Sequence, residues 1–94
     1  MGEQRYPVRG ELDLTSASAV QQQLSLLVDQ SSDDLVLDCT GLDFIDSSGI
    51  AVFVHMQRVL EVQGRAFRVE NLTGRARRVF DLLGLTDSLG IAPA

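Results

Sequence analysis

Apolar residues in this chain change their period several times within 94 residues. Residues 4–9 (QRYPVR) alternate loosely and predict a strand, which Pro7, lacking an N–H, confines to a sheet edge. Gly10 marks a turn or bulge. After Leu12, Asp13 and Leu14, Thr15 or Ser16 caps a helix over residues 17–29. There Val20, Leu24, Leu27 and Val28 share one stripe, and Gln21, Gln22 and Gln23 fill the other positions. The polar run Gln30-Ser31-Ser32-Asp33 ends that helix, and residues 34–39 (DLVLDC) read as a buried strand. Residues 40–45 are a connector. A second helix, capped by Asp46 or Ser47, runs to about Gln63, with Gly64 as its stop. Residues 66–70 (AFRVE) form another strand. Thr73 caps a third helix with the stripe Ala76, Val79, Phe80 and Leu83, closed by Gly84, and residues 85–91 add a short apolar piece.

Strands that alternate with helices pair in parallel through right-handed crossovers. The expected product is an α/β fold, one domain over residues 1–94. A small mixed β-sheet of about four strands is flanked by three to four α-helices.

Charge narrows the function. Thirteen acidic residues face eight arginines and no lysine, for a net charge of −5. Such a domain repels nucleic acid phosphate, so direct nucleic acid binding is excluded. Without lysine there is no Schiff base and no phosphate-cradling P-loop. A receiver domain, suggested by Asp38 at a strand end, also fails for want of its phosphorelay lysine. No apolar run reaches the ~18–20 residues of a membrane span, and MGEQRYP lacks the apolar core of a signal peptide. The expectation is a cytoplasmic protein that does not enter a membrane.

The remaining reactive side chains do not assemble an enzyme. Cys39 has no disulfide partner and reads as a buried small hydrophobe. His55, the only histidine, has no Cys or acidic cluster around it from which to build a metal site. Ser47 and His55 stand two helical turns apart, about 12 Å, too far for a nucleophile and its base. No cofactor is implied. Arg75, Arg77 and Arg78 crowd the start of the third helix, where the helix dipole opposes them. They pair with Asp81 or the acidic surface, or they meet an acidic partner.

The informative stretch is Phe44-Ile45-Asp46-Ser47-Ser48-Gly49-Ile50. It places two hydroxyls where an apolar segment gives way to a helix N-terminus. Unpaired N–H groups and a partial positive charge there stabilise a phosphate. Phosphorylation would add about two negative charges and leave the fold intact. The same residues also serve as simple N-cap residues, with Gly49 as a small first-turn residue. At 100° per residue, Val52, Phe53, Met56, Val59 and Leu60 fall on one arc, assigned to the core. Ser47, Ile50, Ala51, Val54 and Arg58 fall opposite, either as an exposed apolar patch edged by polar groups or with Ile50 and Val54 buried under a neighbouring loop.

Gly10-Glu11-Leu12-Asp13, Asp46-Ser47-Ser48-Gly49-Ile50 and Arg78-Val79-Phe80-Asp81-Leu82-Leu83-Gly84-Leu85 together resemble the anti-sigma factor antagonists of the bacterial STAS domain family. The match spans nearly the whole chain in the family's order. The resemblance implies a mixed sheet flanked by helices and a partner-switching cycle. In that cycle the unphosphorylated antagonist binds an anti-sigma factor serine kinase and frees the sigma factor. Phosphorylation then releases the antagonist, and a PP2C-type phosphatase restores it. The resemblance puts the phospho-acceptor at Ser47, with Ser48 as the alternative. Asp46, Ser47, Ser48, Gly49, Ile50, Ala51, Val54 and Arg58 form the partner-binding surface. Ala51 and His55 replace small residues of the family pattern, making that surface bulkier, and the short N-terminus implies that one edge strand of the family is abbreviated or missing. The alternative within the family is an accessory STAS domain that binds a transporter or other complex without phosphorylation.

Overall fold

The central strand of the computed structural model shows how the two sides of its sheet differ. The structure describes residues 2–91, so the expected domain span of 1–94 extends beyond the described residues at both ends. Strand β3 (Asp34–Asp38) lies between β1 (Glu3–Pro7) and β5 (Phe67–Glu70), and both neighbours run parallel to it. Alternation along β3 sends Leu35 and Leu37 to one side and Val36 to the other. Leu35 and Leu37 join the hydrophobic core, whereas Val36, also fully buried, lies outside it.

Val36 is flanked by Arg5 on β1 and Arg68 on β5. Arg5 reaches across β3 to Glu70 (2.8 Å), and Arg68 reaches back to Glu3 (2.6 Å). The aliphatic stems of these arginines cover Val36 while their charged heads stay in water. Strand β1 is an edge, as Pro7 predicted.

Three helices build the core. Helix α1 (Ala17–Asp29) contributes Ala17, Leu24 and Val28, and it packs beside α2 (Ser47–Val62), which contributes Val52, Phe53, Met56 and Leu60. Helix α3 (Gly74–Leu82) adds Ala76 and Phe80, and the Phe80 ring lies 5.4 Å from that of Phe53. Arg65 fastens the layers, donating to the carbonyls of Asp33 (2.7 Å) and Val28 (3.1 Å).

Residues 40–45 are not a plain connector. They contain β4 (Leu42–Ile45), which pairs in parallel with β2 (Gly10–Leu12) as a second, two-stranded sheet. Backbone bonds from Val8 to Asp38 and from Gly10 to Gly41 carry the pairing from one sheet to the next. The register shifts between Gly10 and Glu11, at the bulge Gly10 predicted, and Gly10 has a φ of 68° that disfavours any side chain. In β4 only Leu42 and Ile45 are buried, so its pattern lacks the alternation that marks a strand. The described residues hold five strands. Every pairing among the described residues is parallel, including the bridge from Val69 to Ile91. The antiparallel component expected of a mixed sheet is therefore absent among them.

Two further expectations are corrected. Leu83, assigned to the buried stripe of the third helix, is 58% exposed, because α3 ends at Leu82 and the chain turns away. Ser16 is the N-cap of α1 by position, yet its hydroxyl donates to the Glu11 carbonyl (2.9 Å) and makes no capping bond.

Candidate functional site

Strand β4 delivers the chain to the start of α2 through Asp46. The Asp46 N–H donates to the carbonyl of Leu12 (3.2 Å), which ties the helix start to β2. Its Oδ1 accepts from the N–H groups of Ser48 (2.8 Å) and Gly49 (3.2 Å). Asp46 is thus the N-cap, and its carboxylate sits against the positive end of the helix dipole.

That assignment frees Ser47. With Asp46 capping, Ser47 occupies the first helical position, exposed, and its hydroxyl has no hydrogen-bond partner among the described residues. Ser48 is half-buried. The two candidate acceptors therefore differ in access.

Gly49 is more than a small residue in a first turn. A Cβ built there would lie 2.6 Å from Ile45 Cγ1 and 2.7 Å from the Leu12 carbonyl oxygen. Only glycine allows the first turn of α2 to approach β2 and β4 this closely.

The helix projection needs one change. Ile50 is buried, with 9% exposure, and Val54 is half-buried and packed against the core. The projection allowed both to face outward or to be buried under a neighbouring loop; they are covered, and by the packed core. Helix α2 is covered by the sheets and also by α1, so it buries a wider arc than one contact face would require. Val59, assigned to the core, is half-buried at the other border of that arc. The exposed stripe is Ser47, Ala51, His55, Arg58 and Val62. Gly49 and Ile50 hold this surface from behind; Asp46, Ser47, Ser48, Ala51 and Arg58 form it, with Val54 at its edge. His55 lies on the same stripe, two turns from Ser47, as its position in the sequence required.

Leu14 was not singled out by sequence, yet it is 79% exposed on the turn that follows β2. The available signal was a large apolar residue, out of phase with the helix stripe, set between the turn-forming Asp13 and Thr15. Asp13 holds that turn, accepting from the Thr15 N–H (3.0 Å) and hydroxyl (2.7 Å), which lowers its pKa.

Other candidates have structural roles. Asp38 accepts from Asn71 (3.0 Å) and from the Thr40 hydroxyl (2.6 Å) and N–H (3.1 Å). These bonds, led by that from Asn71, hold its pKa down at about 2 and clamp the ends of β3 and β5. Burial pushes the Cys39 thiol up to about 12, so it stays protonated inside the core. Arg77 pairs with Asp81 (3.8 Å), as its i,i+4 spacing allowed. Among the described residues no helix is long and apolar enough to cross a membrane.

Parallel strands packed against helices, with an exposed serine where β4 meets the capped start of α2, make this a small α/β domain. Residues 3–91 match the family model described as the Mlab, STAS domain, and the chain belongs to the STAS domain family. It is 34% identical over 85 residues to the anti-sigma-B factor antagonist of Bacillus subtilis (strain 168), covering 90% of this chain and 77% of that protein. It is also similar to an anti-sigma factor antagonist from Mycobacterium paratuberculosis, with a TM-score of 0.87 and 29% identity over 99% of this chain and 79% of that one. The anti-sigma factor antagonist SpoIIAA in its unphosphorylated form shares the fold, with a TM-score of 0.83 and 23% identity over 99% of this chain and 80% of that one.

Proposed function

We propose that this domain is an anti-sigma factor antagonist that works by partner switching, with Ser47 as the switch. Unphosphorylated, it binds an anti-sigma factor that is also a serine kinase through the exposed stripe of α2, and the sigma factor is set free. The kinase moves the γ-phosphoryl group of ATP onto Ser47 Oγ, ADP leaves, and the hydroxyl proton passes to a base on the kinase. The phosphoserine then carries about two negative charges into a surface the partner must desolvate, and the complex separates. A PP2C-type phosphatase reverses the modification by hydrolysis.

The observation that carries this reading is the free hydroxyl of Ser47. Because Asp46 does the capping, Ser47 can be modified without loss of any bond the helix needs. The phosphate would stand at the positive end of a 16-residue helix. The similarity to anti-sigma factor antagonists supports the same reading.

The test is incubation with a candidate anti-sigma factor kinase and ATP, followed by mass spectrometry of the phosphopeptides. One phosphate on Ser47 is expected. A phosphate on Ser48 or Thr40, with Ser47 unmodified, overturns the assignment.

A further inference from the structure

Beside β4, helix α3 leaves a groove of about 280 Å³ lined by Phe44, Ile45, Arg75, Arg78, Val79 and Leu82. Its walls are mostly apolar, and Phe44 and Leu82 stand 45% and 79% exposed. Large apolar side chains around a concavity favour a partner that covers them.

The two arginines give that partner a charge. Arg75 and Arg78 are exposed and make no hydrogen bond or ion pair among the described residues, whereas Arg77 between them is engaged with Asp81 and the Leu72 carbonyl. They are three residues apart on α3, where like charges repel, and the helix dipole opposes Arg75 in the first turn. In a chain of net charge −5, two cations in so unfavourable a place remain unanswered. Each offers a planar fork suited to a carboxylate.

We propose that this groove docks an acidic, apolar segment of a partner protein, its apolar side chains seated between Phe44, Val79 and Leu82 and its carboxylates on Arg75 and Arg78. The volume falls below the roughly 300–1,000 Å³ that accommodates cofactor-sized ligands, and it suits one or two inserted side chains. An anionic bilayer is the poorer occupant, because the domain's net negative charge repels it. The groove is lined by side chains other than Ser47, and its Ile45 lies two residues before that serine.

The test uses the full chain and a model helical peptide of about four turns, with leucine at i, i+3, i+4 and i+7 and glutamate beside them. Two-dimensional amide NMR follows the titration. Saturable shifts centred on Phe44, Arg75, Arg78, Val79 and Leu82 are expected. The double variant Arg75→Glu/Arg78→Glu, whose side chains are exposed, should keep its melting temperature and weaken binding at least about tenfold, as should replacing the peptide's glutamates by glutamine. The proposal is overturned if binding is absent, if the shifts fall on another surface, or if the double variant binds equally well. It is also overturned if the arginines instead govern binding to anionic vesicles while the peptide is ignored.

Discussion

Two exposed surfaces of this domain differ in how their polar groups are used. On the open face of the three-stranded sheet, Arg5, Arg68, Glu3 and Glu70 answer one another across β3 and shelter Val36. On the outer face of α2, Ser47 has no partner and stands beside Ala51, His55 and Arg58 with little to hold them together. Exposure alone therefore does not mark a docking surface. A partner on the sheet face would have to desolvate ion pairs already made, at a cost that new contacts offset poorly. Its paired charges and Pro7 also protect the β1 edge from pairing with other strands. A partner on the α2 face displaces only water.

The sharpest way to break this comparison is to cut behind the α2 surface. Phe53→Ala removes a fully buried ring in contact with Phe80 and should lower stability by about 3–5 kcal/mol in chemical denaturation. Ala51→Asp, two residues away on the exposed stripe, should stay within about 0.5 kcal/mol. Similar losses in the two variants would mean that the stripe is not a free surface.

Gly49→Ala comes next. The added methyl meets the Leu12 carbonyl oxygen at 2.7 Å, and backbone gives way less readily than a side chain. The expected loss is about 1–3 kcal/mol. A neutral result would show that α2 does not need its close approach to β2.

Smaller effects belong to the sheet face. The double variant Arg5→Ala/Arg68→Ala should lower the melting temperature only slightly, from exposed ion pairs of modest strength and the uncovering of Val36. Most of that loss should persist at high salt if the stems matter more than the charges, and vanish if the reverse holds. Asp38 adds a pH signature. Its folded pKa, about 2, lies below the usual carboxylate value. The stability it contributes is therefore present above about pH 4 and fades as pH falls toward 2. Asn71→Ala should flatten the acid limb of the stability curve; an unchanged limb would remove the clamp from the account.

Much of this was legible in the sequence, and the gaps have physical causes. The bounds of α1 and α2 followed from helix-period stripes and from Gly64, because those signals are local. Strand β4 was hidden, since Asp43 and Phe44 both face solvent and break the alternation. Periodicity gave the direction of the buried arc of α2 but not its width, which depends on α1 packing beside it; it leaves the burial of Ile50 open for that reason. The choice between Asp46 and Ser47 as cap needed the carboxylate geometry. The groove of Phe44, Arg75 and Arg78 joins residues some thirty positions apart, which no local pattern connects.

The central claim is that Ser47 is chemically available and structurally idle. It is tested most directly by comparing Ser47→Ala and Ser47→Asp for stability and for affinity toward the anti-sigma factor, measured by calorimetry. Both variants should melt close to the parent, because the cap is Asp46. Ser47→Ala should bind like the parent, and Ser47→Asp should bind at least about tenfold more weakly, a difference of about 1.4 kcal/mol. Equal affinities for the two variants, or a Ser47→Ala protein that loses about 1 kcal/mol or more of stability as a lost cap would, would contradict it.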